Sequence, residues 1–305
     1  ETAEIDLLIS GLEADDTSAE SEPAFDGPDR SKPAVCVPGD LWRLGDHLLL
    51  CGDALKQESY GALMGEEKAQ MVFTDPPYNV PIAGHVSGLG KIKHDDFAMA
   101  CGEMSESEFT GFLRTAFGHL AAFSADGSLH YLCMDWRHAF EILSAGRAVY
   151  RELKNLCVWN KNNGGMGSFY RSKHELVFVF KKGTATHINN VELGRYGRSR
   201  TNVWDYPGAN SLTGERGRDL ALHPTVKPVA LVADAILDAS KHGGVILDPF
   251  AGSGSTILAA QKTGRRARAI ELDPYYVDTI IRRFQKETGI DAVVADSGLP
   301  FDALA

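Results

Sequence analysis

The amino-acid sequence predicts an α/β fold, with helices on both faces of a mostly parallel sheet. From Leu41 onwards, short apolar runs alternate with amphipathic stretches, which is typical of successive strand–helix units. Several connections end in Gly or begin with Asp, Ser or Pro, as the caps of helices do. A chain of 305 residues is long enough for one sizeable domain of this kind with appended segments.

The predicted elements follow one another along the chain. Strands are predicted at 48–51, 71–74, 129–133, 156–159, 176–180, 245–247 and 267–270. Helices are predicted at 106–123, 136–145, 228–240, 255–262 and 274–284. The stretch at about 184–222 breaks this rhythm, because it is rich in Arg, Asn, Gly and Thr and has no clear period. We interpret it as an irregular insertion.

Composition divides the chain into three segments. Residues 1–38 are acidic and rich in Ser, Pro and Gly, which predicts a flexible leader or linker and leaves room for the stub of a preceding domain. Residues 39–290 are predicted to form the folded domain, and 291–305 a C-terminal tail. The net charge of −10 lies mainly in the leader, whereas 154–222 has eleven Lys or Arg against five acids. Such a local basic surface can meet phosphates even in an acidic protein.

The bulk composition excludes several classes of protein. Apolar residues make up 44% and charged residues 24%, which indicates a globular chain rather than a disordered or fibrous one. No apolar run approaches the roughly 18 residues that span a bilayer, and the N-terminus lacks a signal pattern, so we expect no membrane contact and a cytoplasmic location. The five cysteines include no Cys-x-x-Cys pair, which argues against disulfides and against a metal site.

The first candidate site is a tetrapeptide, Asp75, Pro76, Pro77 and Tyr78, directly after the strand predicted at 71–74. Ligands bind beyond the carboxyl ends of the strands in an open α/β sheet, where this tetrapeptide must lie. A carboxylate and a prolyl carbonyl can accept hydrogen bonds from the poorly nucleophilic amine of a base, and a tyrosine ring can stack on an extruded base. An ordinary Pro-Pro turn with a capping Asp is the alternative.

The second candidate site is a glycine-rich turn between the strand predicted at 245–247 and a predicted helix. This arrangement lets the backbone approach a nucleotide-like ligand closely. The turn lacks the Gly-Lys-Ser/Thr ending of a phosphate-binding loop, and its acid suits a cationic sulfonium better than a polyphosphate. Its candidate ligand-binding residues are Asp248, Phe250, Gly252, Ser255 and Thr256.

A third acid, Glu271, ends the strand predicted at 267–270 and is followed by Leu272. An acid about one strand–helix unit after a glycine turn can accept hydrogen bonds from both hydroxyls of a ribose. A simple surface acid is the alternative.

Together the motifs resemble the catalytic and cofactor motifs of amino-group DNA methyltransferases. The tetrapeptide precedes the glycine turn, an order that resembles the β class of this family, in which the target-recognition region lies between the two. The resemblance covers about 40–288 and implies a Rossmann-like methyltransferase fold that binds S-adenosyl-L-methionine, with an irregular target-recognition insertion. It implies that Asp75 is the catalytic acid, that Pro76 is a second acceptor through its carbonyl, and that Tyr78 is the stacking ring.

The resemblance also implies a set of cofactor-binding residues. Asp53 and Ala54, after the strand predicted at 48–51, would contact the cofactor adenine, while Thr225 and Lys227 would hold its methionine carboxylate. Asp75 and Leu272 complete the set, with the residues of the glycine turn and Glu271. The segment from Gly39 resembles, more loosely, that of methylases fused behind a ParB-like N-terminal domain.

Candidate DNA contacts are Arg, Lys and Asn residues in and before the insertion. Arg and Asn can read guanine and adenine edges, and Lys and Arg can also only neutralise phosphate. For any single residue, a solvated basic face is the alternative. The candidates are Asn160, Lys161, Arg171, Lys173, Arg195, Arg198, Arg200 and Arg216.

The resemblance implies methyl transfer from S-adenosyl-L-methionine to an exocyclic amine in double-stranded DNA after base flipping, with adenine the favoured target. A cytosine amine could use the same site, and cytosine enzymes of the family often have Ser where this chain has Asp75. A non-catalytic DNA-binding module is the alternative from another class. Whether the chain forms a homodimer is left open.

Overall fold

A computed structural model gives the structure of the protein and describes residues 27–80, 102–162, 164, 169–191, 194, 197–208 and 226–305. Ten strands occur within these residues. They are β1 (Leu41–Leu44), β2 (His47–Cys51), β3 (Ala69–Thr74), β4 (Ser124–Met134), β5 (Glu152–Asn160), β6 (His174–Lys181), β7 (Val203–Asp205), β8 (Val245–Asp248), β9 (Arg266–Glu271) and β10 (Ala292–Val294).

These strands form one sheet in the order β10-β1-β2-β9-β8-β3-β4-β6-β5-β7. The five central strands β2, β9, β8, β3 and β4 run parallel to one another. At the two sides of this group, β1 runs antiparallel to β2, and β6 runs antiparallel to β4 and β5. The predicted fold class, a mostly parallel sheet in an α/β fold, is therefore confirmed. Because β6 runs opposite to β4 and β5, its first residues lie at the same edge as the carboxyl ends of those two strands.

Six α-helices lie between the strands in the part of the chain that the structure describes. They are α1 (Gln57–Met64), α2 (Glu106–Ala122), α3 (Ala139–Val149), α4 (Val229–Ala239), α5 (Ser255–Lys262) and α6 (Pro274–Thr288). A capping box between Ser105 and Glu108 begins α2, and Asp273 caps α6. The helix predicted at 136–145 corresponds to α3, which is observed at Ala139–Val149. Its first three predicted residues, Trp136–His138, form a 3₁₀ turn instead.

The core consists of two apolar layers, one on each face of the sheet. Alternate strand residues belong to opposite layers, as the pleat requires: Met71 and Phe73 pack in one layer, and Val72 in the other. The first layer includes residues of α4, α5 and α6, and the second includes residues of α1, α2 and α3. Helices therefore cover both faces, as predicted.

Both ends of the described domain extend beyond the predicted boundaries. Asp278 of α6 accepts hydrogen bonds from the backbone N–H groups of Val35 and Cys36, and Cys36 is buried. At the other end, β10 pairs with β1, and Phe301 is buried with its ring against Trp42. The interpretation of the whole of 1–38 as a flexible linker is therefore wrong for its last residues, and the tail at 291–305 belongs to the sheet.

The expected stub of a preceding domain, at the N-terminal end of the leader, lies outside the described residues. Among the described residues, no helix is long and apolar enough to cross a membrane.

Candidate active site

The carboxyl ends of four neighbouring parallel strands meet at one edge of the sheet. β2, β9, β8 and β3 lie side by side, and each ends in or near an acid: Asp53 follows β2, Glu271 ends β9, Asp248 ends β8 and Asp75 follows β3. This edge is where open α/β sheets bind ligands. The topology thus brings together four acids that the sequence singled out separately.

Asp75 and Tyr78 of the tetrapeptide contact each other directly. The Tyr78 hydroxyl donates to Oδ1 of Asp75 at 2.5 Å, and the Lys227 ammonium donates to Oδ2 at 2.5 Å. Pro76 is buried and Pro77 half-buried, so packing of the two rings holds this backbone. Burial raises the pKa of Asp75, although the charge of Lys227 opposes this. Lys227, which we expected to hold the cofactor carboxylate, pairs with Asp75 in this structure.

Asn79, which sequence reasoning missed, fixes the chain immediately after the tetrapeptide. It has a positive φ of 52°, an uncommon conformation for a residue other than glycine. Its side chain donates to the carbonyl of Met104 and accepts from the N–H groups of Gly102 and Met104. The bend therefore depends on a side chain that replaces backbone partners, and it ties the tetrapeptide to the N-terminus of α2.

Glu175 is the second residue that sequence reasoning missed. It lies near the start of β6 and is 8% exposed. The Tyr78 hydroxyl oxygen also lies within hydrogen-bond distance of Oε1, the Lys227 ammonium lies 2.5 Å from Oε1, and the Lys161 ammonium lies 2.7 Å from Oε2. The only signal in the sequence was an acid directly before the apolar strand predicted at 176–180.

Charge pairing controls the protonation of this cluster. Burial alone would raise the pKa of Glu175, but attraction to Lys227 and then to Lys161 outweighs it and lowers that pKa. Burial alone would likewise lower the pKa of Lys227, but Asp75 and Glu175 together raise it. Burial also raises the pKa of the Tyr78 hydroxyl, so it stays a donor. We infer a charged lysine between carboxylates, bridged by a neutral phenol.

The glycine turn after β8 is organised by Asp248, which is 3% exposed. Its carboxylate accepts from the hydroxyls of Thr74 and Thr256 at 2.7 and 2.6 Å and from the N–H of Phe250 at 3.1 Å. Burial raises the pKa of Asp248 to about 6, and the hydroxyl bonds oppose this rise. These hydrogen bonds stabilise the conformation of the turn, and this is the first role of Asp248.

The rest of the turn leads into α5 through left-handed backbone. Gly252 and Gly254 have φ values of 52° and 78°, and Gly254 is the residue before α5. The Ser255 hydroxyl donates to the carbonyl of Lys227 at 2.8 Å, which ties the turn to the segment that carries the lysine. Phe250 packs its ring against Phe112 of α2.

Glu271 faces the turn from the end of β9. Its Oε2 accepts from the N–H of Gly252 at 2.8 Å, and its Oε1 accepts from the N–H of Asp273 at 3.0 Å; Leu272 is half-buried beside it. Burial raises the pKa of Glu271 to about 7, although these backbone donors oppose the rise. No described cation pairs with this carboxylate, and each oxygen keeps a lone pair for a ligand hydroxyl.

Asp53 lies beside Glu271 at the end of β2. We call the carboxylates of Asp53, Asp248 and Glu271 the acidic edge. Its Oδ1 accepts from the N–H of Leu55 at 2.9 Å, and the N–H of Gly52 donates to the carbonyl of Glu271 at 2.8 Å. Ala54 is buried, and its carbonyl accepts from the hydroxyl of Tyr60. The end of β2 is therefore fixed against the end of β9.

This edge fits a cationic adenosyl sulfonium. Three acids, Asp53, Asp248 and Glu271, surround a turn whose glycines leave the backbone open. Carboxylates accept from ribose hydroxyls and amino groups and favour a positive charge, whereas a polyphosphate would meet repulsion. These hydrogen-bond acceptors thus fit S-adenosyl-L-methionine rather than a nucleoside triphosphate.

The predicted DNA contacts fall into two groups. Arg198 and Arg200 form ion pairs with Asp234 and Asp238 of α4 at 2.7–3.2 Å, which engages both guanidinium groups within the fold rather than on a solvated face. Asn160 donates to Asp205, and Lys161 is bound to Glu175. Arg171 and Lys173 are exposed on the connection between β5 and β6, where Arg171 donates to the carbonyl of Gly164.

Three predicted site residues lie outside the described residues: Thr225, Arg195 and Arg216.

Comparisons with known proteins place similar chains among DNA methyltransferases. Over 242 residues the chain is 28% identical to the type II methyltransferase M2.DpnII of Streptococcus pneumoniae, with 73% of this chain and 85% of that protein covered. It is 25% identical to the DNA adenine methyltransferase YhdJ of Escherichia coli K12, with 77% and 81% covered. The fold is also that of the cytosine-N4-specific PvuII DNA methyltransferase, with a TM-score of 0.58, 14% identity, and 90% and 94% covered.

The sequence profile of a family described as DNA methylase, which comprises N6 and N4 methyltransferases, matches residues 69–282. That range contains both the tetrapeptide and the glycine turn. S-adenosyl-L-methionine is the methyl donor of this family. The chain therefore belongs to the N6/N4 DNA methyltransferases.

Proposed function

We propose that this chain methylates the N6 amine of adenine in double-stranded DNA, after the target base has been flipped out of the helix. The observation that carries the proposal is the contact between Asp75 and Tyr78 at the strand end beside the glycine turn. A carboxylate and an aromatic ring at that place can hold the amine and the face of one base together. Adenine is favoured because Asp, and not Ser, stands at position 75.

The chain's own residues act by positioning and by accepting hydrogen bonds. The lone pair of an adenine amine is delocalised into the ring, so the amine becomes nucleophilic only as it pyramidalises. Asp75, with the carbonyl of Pro76 as second acceptor, would stabilise that geometry, and Tyr78 would stack on the base. The bound cofactor would supply a methyl group on a positively charged sulfur.

We assign the cofactor to the acidic edge around the glycine turn. Glu271 would accept from the ribose hydroxyls, Asp53 would contact the adenine, and Asp248 would hold the turn in place. Binding there would bring the methyl group next to Asp75, because β8 and β3 are neighbours in the sheet. The carbonyl of Lys227 already contacts Ser255 of the turn, which joins the two halves of the site.

We place the DNA against the connection between β5 and β6. Its exposed Arg171 and Lys173 carry positive charge, and the rings of Phe169 and Tyr170 are 85% and 81% exposed. The connection leaves the sheet at the same edge as Glu175, which contacts Tyr78. Phosphate contacts from this side would position the duplex above the catalytic acid.

The N4 amine of cytosine is the second candidate target, because the cytosine-specific PvuII enzyme has the same fold. The two targets can be separated by incubating the protein and S-adenosyl-L-methionine with amplified, unmethylated DNA and analysing the nucleosides by mass spectrometry. We expect N6-methyl-2′-deoxyadenosine as the only methylated nucleoside. N4-methylcytosine would overturn the choice of base, and absence of both would overturn the enzymatic proposal in favour of a DNA-binding module.

A further inference from the structure

Two donors in the active site are shared between two carboxylates. The Tyr78 hydroxyl and the Lys227 ammonium both donate to Asp75, and both also contact Glu175. Lys227 and Glu175 are 6% and 8% exposed, so neither group can turn to bulk water. Lys161 holds the remaining oxygen of Glu175 at 2.7 Å.

In this arrangement both oxygens of the catalytic acid already accept a hydrogen bond from a protein donor. Tyr78 occupies Oδ1 of Asp75, and Lys227 occupies Oδ2. An incoming amine that takes the place of either donor leaves that donor in need of another acceptor. Displacing a buried ammonium is generally unfavourable if no other acceptor receives it.

We propose that Glu175 is a positioning residue that retains Lys227 and Tyr78 when Asp75 turns to the substrate amine. The inference rests on the proposed function and deepens it. Because Glu175 already contacts both donors, Asp75 can exchange them for the amine while neither donor is left unpaired. No covalent bond changes at Glu175, and its contribution is to keep the catalytic acid available.

Lys161 makes Glu175 a suitable acceptor. The ammonium of Lys161 lies over the ring of Trp159, 4.3 Å from its centroid, which holds it at the oxygen opposite to the one that Lys227 contacts. Glu175 therefore stays charged and oriented even when Lys227 moves. Attraction to Lys227 and Lys161 lowers the pKa of Glu175 against the effect of burial, which agrees with this role.

The test compares three variants of the full chain with the wild type. Glu175→Gln keeps the size of the side chain and removes its charge, whereas Glu175→Asp keeps the charge and shortens the reach. Glu67→Gln is the matched control, because Glu67 also pairs with two cations, Arg266 and Arg268, far from this edge. Rates of methyl transfer to amplified, unmethylated DNA at saturating DNA and cofactor are measured, with cofactor affinity by calorimetry and melting temperature.

We expect Glu175→Gln to slow transfer roughly 10- to 100-fold, the usual effect of one charge-assisted contact, while cofactor affinity changes less than about twofold. Glu175→Asp should retain more activity than Glu175→Gln, and Glu67→Gln should transfer at the wild-type rate. Wild-type transfer by Glu175→Gln would overturn the inference. So would equal losses in both Glu175 variants, or a loss matched by weaker cofactor binding, because either result indicates a structural role. An inactive wild type would instead overturn the proposed function, and the inference with it.

Discussion

Replacing Lys227 with Met should destabilise the protein more than any exposed lysine substitution. The ammonium lies 2.5 Å from both Asp75 and Glu175 and 3.1 Å from the Tyr78 hydroxyl, and its side chain is 7% exposed. Removing one member of a buried ion pair generally costs about 3–5 kcal/mol, because the partner charge is left uncompensated. Met has a similar length and can pack against the rings of Tyr78 and Trp159, which the Lys227 side chain contacts. Because Lys161 still pairs with Glu175, we expect a loss of about 3 kcal/mol, near the lower bound.

The loss should also depend on pH in a defined direction. Without Lys227, burial and then the charge of Glu175 raise the pKa of Asp75 against the hydrogen bond from Tyr78 alone, so the folded variant binds a proton more tightly than the unfolded chain does. The deficit in the free energy of unfolding should therefore be largest at about pH 8 and shrink towards about pH 5.

Urea unfolding at the two pH values measures both effects. A loss of about 3 kcal/mol lowers the midpoint by about 1 M for a chain of this size. The control is Lys241→Met, at an exposed position after α4, which should change stability by less than about 0.5 kcal/mol. A loss below about 1 kcal/mol for Lys227→Met, or a deficit that grows as the pH falls, would refute the account of the cluster.

Asp53→Ala and Glu271→Ala should each weaken binding of S-adenosyl-L-methionine roughly 10- to 100-fold in calorimetry, since each removes a charge-assisted contact of ~1.5–3 kcal/mol; unchanged affinity in both would contradict the assigned pocket. Because burial raises the pKa of Glu271 to about 7, lowering the pH from about 8 to about 6 protonates this acceptor and should weaken cofactor binding by the wild type but not by Glu271→Gln; a wild-type affinity independent of pH would contradict this. Asp278→Ala leaves the N–H groups of Val35 and Cys36 without their acceptor and should cost about 3 kcal/mol in urea unfolding, whereas a cost below about 1 kcal/mol would show that this segment adds little.

The sequence was sufficient for the fold class because strands buried on both faces read as continuous apolar runs. All seven predicted strands exist, with longer bounds. The missed strands β1, β7 and β10 have three or four residues each, too few for a periodic signal. Helix α1 was missed because its eight residues contain a glycine and no capping side chain precedes it.

The candidate site was predictable where a strand end and its motif are contiguous in sequence, as for Asp75 and Asp248. Glu175 was not predictable, because its partners Tyr78 and Lys227 are distant in sequence and only the antiparallel course of β6 brings it to them. The end of the acidic leader escaped prediction for the same reason. Its composition is that of a linker, and its anchor, Asp278, is a distant residue of α6.

The most direct test of the central claim is single-turnover methyl transfer by the wild type and by Asp75→Ala. Labelled S-adenosyl-L-methionine and excess unmethylated DNA are used, and cofactor affinity is measured in parallel. We predict that Asp75→Ala abolishes transfer while cofactor affinity stays within several-fold of the wild type, because the carboxylate acts on the amine of the base. Transfer at the wild-type rate, or a loss of cofactor binding equal to the loss of rate, would contradict the assignment of Asp75 as the catalytic acid.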